Sequence, residues 1–220
     1  LFDKETYDDV GPGVCISVCD YNHGTQGLRG GGMLANEFIR LPYQFVSANP
    51  PGTPSWGKAH KDFMRRYYRR NIMVQGPTQD MPTWDGRVEL DPKVRDHWGI
   101  PALRISGDNH PHTREIANRQ AERAAAWLKE AGAVVTYQRR AGRGVTGHQH
   151  QSGTCRMGND PRASVVDASC RIHDVPNVFV VDASVHVTNG GFNPVLTIFA
   201  NAFRASDLLV EAWKGGGLKG

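Results

Sequence analysis

In Asn177-Val178-Phe179-Val180-Val181-Asp182, four consecutive apolar residues stand between polar ends. That is the pattern of a short strand covered on both faces. Ala183-Ser184 follows, and Asn193-Pro194 then opens a helix, with Pro194 suited to a helix start. Leu196, Phe199, Phe203, Ser206, Leu209 and Trp213 recur close to a 3.6-residue period in that helix. A covered strand feeding an amphipathic helix suits an α/β (mixed α+β) fold.

Upstream, the elements are expected to alternate in the same way. Glu37–Leu41 and Tyr43–Val46 read as strands broken at Pro42, and Asn49-Pro50-Pro51-Gly52 as a hard stop. Ser55 can cap a helix with Trp56, Phe63, Met64 and Tyr67 as its inner stripe. Val88 and Leu90 alternate as in a strand, and Ala102–Ile105 suits another. Thr113 can cap a long helix through Ile116, Gln120, Ala124, Trp127 and Leu128, closed by Gly132 at C′, with a strand over Ala133–Tyr137 after it. The composition shifts near Arg140, which divides the chain into residues 1–145 and 146–214, with 215–220 as a flexible tail.

With 39% hydrophobic and 22% charged residues over 220 positions, the chain is neither disordered nor fibrous. No apolar run approaches the roughly 20 residues of a membrane span. The chain starts at Leu1 with no visible signal peptide, as a processed product or one piece of a larger protein would, and a cytoplasmic location is expected. Net charge is +4, yet the basic runs at Arg65-Arg66-Tyr67-Tyr68-Arg69-Arg70 and around Arg139-Arg140 accompany no nucleic-acid motif. Solvated faces and salt bridges account for them better than phosphate binding does. The cysteines at positions 15, 19, 155 and 170 have no zinc spacing and read as buried or half-buried thiols. Gly27–Gly32 lacks the Lys-Ser/Thr of a phosphate cradle.

The chemistry concentrates in His148-Gln149-His150-Gln151-Ser152-Gly153-Thr154-Cys155-Arg156-Met157-Gly158. His148 and His150 could chelate a metal with His173 or His186 as a third ligand. One of them could instead serve as a general base, because imidazole titrates near neutral pH. Both could also be ordinary loop residues. Asn193 has two compatible readings, a helix cap and an amide aimed at an anion that the helix start favours.

The run from His150 to Asp207 resembles the C-terminal signature of the glucose-methanol-choline (GMC) oxidoreductases. The matching pieces are His150–Gly158, Asp160-Pro161, Ser164–Asp167, Val175–Ser184, Thr188, Asn193–Thr197 and the Ala202–Asp207 pattern. Asp96–Pro101 and the helix after His112 look like the bacterial sugar- and polyol-oxidising branch. The resemblance implies FAD as cofactor, His150 as catalytic base and Asn193 as its partner. It also implies that Asp182 and Ala183 lie along the flavin's ribityl and pyrophosphate region, and that the backbone of Asn193, Pro194 and Val195 reaches the flavin ring. His148 reads first as an ordinary polar loop residue, with substrate contact by His148 and Gln149 as the alternative. No residue is expected to bind metal, and Tyr43, Phe45, Trp56, Tyr67, Tyr68 and Trp84 are expected mostly to pack in the core, with a sugar-stacking wall as the alternative.

The same resemblance places residues 1–145 in an antiparallel-sheet substrate domain and 146–214 in the returning part of a Rossmann-like FAD domain. Gly11-Pro12-Gly13 lacks the third glycine of a dinucleotide fingerprint, so an N-terminal FAD-binding chain or fragment is implied as partner. The expected reaction is oxidation of a sugar or other alcohol, with neither nucleic acid nor membrane involved. The rivals are a non-catalytic or carbohydrate-binding subunit of the same shape, and a metal-dependent enzyme using His148 and His150.

Overall fold

Leu34–Glu37 lies at the centre of a three-stranded antiparallel sheet. In the computed structural model it is β2, flanked by β1 (Val14–Val18) and β3 (Met73–Gln75). The structure describes all residues except 8–13, 21–23, 25–26, 28, 38–40, 48, 143, 145–149 and 218–220. Gly11-Pro12-Gly13 and part of the expected 37–41 strand therefore lie outside the described residues. Contacts group the chain into two units, Leu1–Thr78 with Glu115–Ala141, and Gln79–Arg114 with Gly142–Gly220.

In the first unit, Tyr43–Val46 is not a strand. Pro42 opens a short helix, α1 (Pro42–Ser47), because its fixed φ suits a first helical position. The Leu41 N–H donates to Gln44 Oε1 at 2.9 Å, and the Leu41 carbonyl accepts from Phe45 at 3.1 Å. Among its described side chains only Phe45 is buried, stacked on Phe63 of α2 (Gly57–Tyr67) at 5.8 Å between centroids. The cap of α2 is Trp56 rather than Ser55, and Trp56 points into solvent instead of joining Phe63, Met64 and Tyr67 on the packed side. The basic cluster at its end is paired locally: Arg65 with Asp62, Arg69 with Glu5, and Arg70 with the Asp3 carbonyl.

The long helix forms as its periodicity requires. In α3 (Pro111–Glu130), Ile116, Gln120 and Ala124 are buried. Gly132 adopts φ 92°, its N–H meets the Lys129 carbonyl at 2.9 Å, and the Ala133 N–H meets Leu128 at 2.9 Å. That pair of bonds is a Schellman termination. Thr113 lies inside the helix instead of capping it. Val134 and Val135 bond to the Leu1 backbone without forming the expected strand.

In the second unit, β4 (Arg87–Arg95) and β5 (Pro101–Ser106) form an antiparallel hairpin. Val88 pairs with Ile105 and Leu90 with Leu103, so one face of this ribbon is apolar. The core of the unit is Val166, Cys170, Val185 and Ala205, with Met157, Val165, Ile172 and Val180 against it. Ala205 belongs to α4 (Val195–Lys214). Two expectations fail here. Residues 178–181 form only an isolated bridge, Arg171 to Phe179, and Val178 and Val181 are exposed. The buried line of α4 runs through Ala205, not through Leu196, Phe199, Phe203 and Trp213, which are exposed. Cys19 is also exposed, Cys155 half-buried and Cys170 buried.

Together these elements make a mixed α/β protein with antiparallel sheets.

Candidate active site

The segment that begins at His150 is laid against the segment that begins at Asp182. Gly153 and Cys155 donate their N–H groups to the Ser184 carbonyl at 3.1 and 3.0 Å, and Met157 donates to Val185 at 2.8 Å. A Cβ on Gly153 would stand 3.5 Å from the His186 carbonyl, and Gly153 itself has φ 92°. His150, half-buried, also adopts a left-handed backbone at φ 72°. For a residue other than glycine that conformation is uncommon and is held by its surroundings.

Asp182 caps the single turn Ala183–Val185, accepting from the Ser184 N–H at 2.8 Å and the Ser184 hydroxyl at 2.5 Å. A second carboxylate-centred turn supports it from behind. Asp167 Oδ1 accepts from the Ser169 hydroxyl (2.6 Å) and from the N–H groups of Ser169 (2.8 Å) and Arg171 (3.1 Å). Burial works to raise the Asp167 pKa, but these bonds and the nearby His173 outweigh it and hold the carboxyl below its usual range. Cys170, at φ 66°, closes the turn with its thiol inside the core. Asn201 donates to that sulfur at 3.3 Å.

Beyond Val185 the chain runs through Thr188, Asn189, Gly190 and Gly191 to Asn193 and Pro194. Asn193 is exposed and is not the cap of α4; that position is Pro194, with no side chain bonded to the first-turn N–H groups. Among the described residues no hydrogen bond joins His150 to Asn193. His148 and Gln149 lie outside the described residues.

Two signals escaped the sequence reading. Thr113 Oγ1 accepts the Met81 N–H at 2.9 Å, and the 79–80 segment is bonded to Thr188 and Asn189. Burial raises the Asp80 carboxyl above its ordinary range, partly offset by a Thr113 hydrogen bond and the charge of His110. His186 Nε2 and Gln79 Oε1 are buried without a hydrogen-bond partner. The Asn-Gly-Gly at Asn189–Gly191 was the available cue, since it marks a turn needing positive φ.

Of the suggested third metal ligands, His173 Nε2 contacts Ser164 Oγ at 2.9 Å. Among the described residues no group of three His, Cys, Asp or Glu is arranged to hold a metal ion. Trp84 is exposed beneath the Arg156 guanidinium at 5.1 Å, and Tyr43 and Trp56 are exposed as well, whereas Phe45 packs inside. No helix of the described residues is long and apolar enough to cross a membrane.

In this mixed α/β chain the His150 loop is bonded to the Asp182-capped turn, whose segment continues into α4. Residues 82–202 match the C-terminal family model described as GMC oxidoreductase. The chain belongs to that family. It is 34% identical to 2-methyl-1,2-propanediol dehydrogenase of Mycolicibacterium austroafricanum over 83% of this chain and 33% of that protein. It is 40% identical to 6'''-hydroxyparomomycin C oxidase of Streptomyces lividus over 90% of this chain and 38% of that protein. The chain thus spans between 33% and 38% of these two curated relatives. A solved structure, pyridoxine 4-oxidase from Mesorbium loti, is similar at 24% identity and a TM-score of 0.42, over 62% of this chain and 29% of that one.

Proposed function

We propose that this chain carries the base and the amide partner of an FAD-dependent enzyme that oxidises a sugar or other alcohol hydroxyl. The observation that carries the reading is the bonding of the His150–Gly158 segment onto the Ser184–Val185 turn, within a chain of the GMC family. The oxidase and dehydrogenase names of its relatives support the reaction class.

The residues present fit the cofactor. The first turn of α4 has no side-chain cap, which suits an electron-rich ring edge. The backbone of Asn193, Pro194 and Val195 would meet that edge, and the Asp182-Ala183 turn would lie along the ribityl and pyrophosphate region. Bound FAD supplies the two-electron acceptor that side chains lack. In this reading His150 takes the hydroxyl proton on its imidazole, and Asn193 donates a hydrogen bond to the substrate oxygen as it gains charge. His148 and Gln149 are assigned to the substrate side.

Residues 1–145 serve the substrate domain and 146–214 the flavin domain. An N-terminal FAD-binding polypeptide completes the enzyme, a reading supported by the greater length of the relatives.

The test is stopped-flow flavin reduction in the assembled enzyme as a function of pH. A base must be neutral to accept a proton, so the rate at limiting substrate should rise with pH and then level off. His150→Ala should remove that limb and cost at least about 100-fold. Asn193→Asp should cost about 100- to 1,000-fold with FAD retained. A pH limb that survives in His150→Ala would overturn the reading.

A further inference from the structure

The loop that delivers Asn193 is held by contacts from a remote part of the chain. Asn189 Oδ1 accepts the N–H of Asp80 at 2.8 Å and that of Gly191, two residues ahead, at 3.3 Å. The Thr188 hydroxyl donates to the Asp80 carbonyl at 2.7 Å, and Gln79 Nε2 donates to Thr188 Oγ1 at 3.4 Å. The next residue, Met81, gives its N–H to Thr113 at 2.9 Å. Residues 79–81 are therefore fixed between the first turn of α3 and this loop. Gly190 and Gly191 follow with φ 71° and 75°, two successive left-handed residues that aim the chain at Asn193 and the start of α4.

A pair of adjacent glycines gives a loop freedom that a site aligning an amide has to remove. One side-chain oxygen does this here, because the acceptor bonded to Asp80 also bonds the N–H of Gly191, inside the glycine pair. We propose that Asn189, with Thr188, is a positioning residue for Asn193: it converts a flexible Gly-Gly turn into a fixed mount registered on the Asp80 backbone. The proposal rests on the reading of Asn193 as the partner of the substrate oxygen. Because the two bonds to Asp80 are to its backbone N–H and carbonyl, and the third is to the Gln79 amide, the mount does not depend on the Asp80 carboxylate.

The experiment uses the chain assembled with its N-terminal complement and FAD. Flavin reduction is followed by stopped flow with 2-methyl-1,2-propanediol and with glucose, and amide exchange of the 186–194 peptide by mass spectrometry. Misplacing a reacting group by about 1 Å costs on the order of 100-fold. Asn189→Ala should therefore slow reduction at saturating substrate by roughly 10- to 100-fold, with FAD content and melting temperature unchanged and faster exchange in 186–194. Asn189→Asp, which keeps the acceptor oxygen, should recover most of both. If Asn189→Ala fails to fold, Thr188→Val must show the same selective loss and Thr188→Ser its recovery. The proposal is overturned if Asn193→Asp is slow while Asn189→Ala and Thr188→Val reduce flavin at the unmutated rate. It is also overturned if the 186–194 peptide exchanges no faster in either variant. If Asn193→Asp itself reduces at the unmutated rate, the reading of Asn193 falls and the mount has nothing to position.

Discussion

The two sides of α4 obey different rules although one sequence writes both. Its inner side meets the Val166, Cys170 and Val185 core through Ala205, 2% exposed. Its outer side carries Leu196, Phe199, Phe203 and Trp213, at 82%, 58%, 74% and 71% exposure. The small residue is packed and the large ones are bare. Close approach of a helix to tightly folded turns selects for small volume, whereas bulky apolar side chains mark a surface made to be covered. The difference teaches that apolar periodicity locates a helix but does not say which stripe its own chain buries.

The strongest way to break this comparison is to load the inner side. Ala205→Glu would place an unpaired charge in the core, and the chain should lose cooperative thermal unfolding altogether. A sharp melt near that of the unmutated chain would mean that Ala205 is not the contact described. Removing volume is milder. Val185→Ala deletes two methyl-sized groups and leaves a cavity, and should cost roughly 2–3 kcal/mol in denaturant unfolding.

Next in size is Asp167→Asn, which removes the carboxylate from the turn under the core at a cost of about 1 kcal/mol. Because the folded pKa is lowered, this contribution is present above the unfolded carboxyl's pKa and is lost as pH falls through the folded one. Melts of the two proteins should therefore differ at neutral pH and converge in acid; a constant offset would exclude ionisation as the cause. The smallest effect belongs to the outer side. Phe203→Ser should change the melt of the chain by no more than about 0.5 kcal/mol. A large loss there would show that the outer stripe is already packed.

Much of the fold was legible where local rules and packing agree. The helical spacing of Ile116, Gln120 and Ala124 and the glycine at 132 located α3 and its end. Where two local rules compete, the reading failed. Tyr43, Phe45 and Val46 favour strands, but Pro42 sets a helical start, and only Phe45 has a partner in the core. Thr113 and Asn193 have the chemistry of caps; the first instead holds the backbone of Met81, and the second yields the position to Pro194. The apolar run 178–181 divides instead of forming one covered strand, with Val180 against the core and Val178 and Val181 exposed. The site was legible as motifs because its turns depend on Asp, Ser, Gly and Pro at fixed offsets. Asn189 was not, since its partner lies at Asp80, far off along the chain.

The placement of Cys170 makes the core a chemical clock. Its sulfur is fully enclosed, while the thiol of Cys19 is open to solvent. A thiol-directed reagent will label Cys19 at the rate of the reagent itself and Cys170 only at the rate at which the Val166–Val185 core opens. Alkylation at that sulfur leaves a group the closed core has no volume for, so each labelled molecule is withdrawn from the folded population. Labelling followed at the Cys170 peptide itself, apart from half-buried Cys155, therefore counts openings of the core to which Val185 of the Asp182-capped turn belongs.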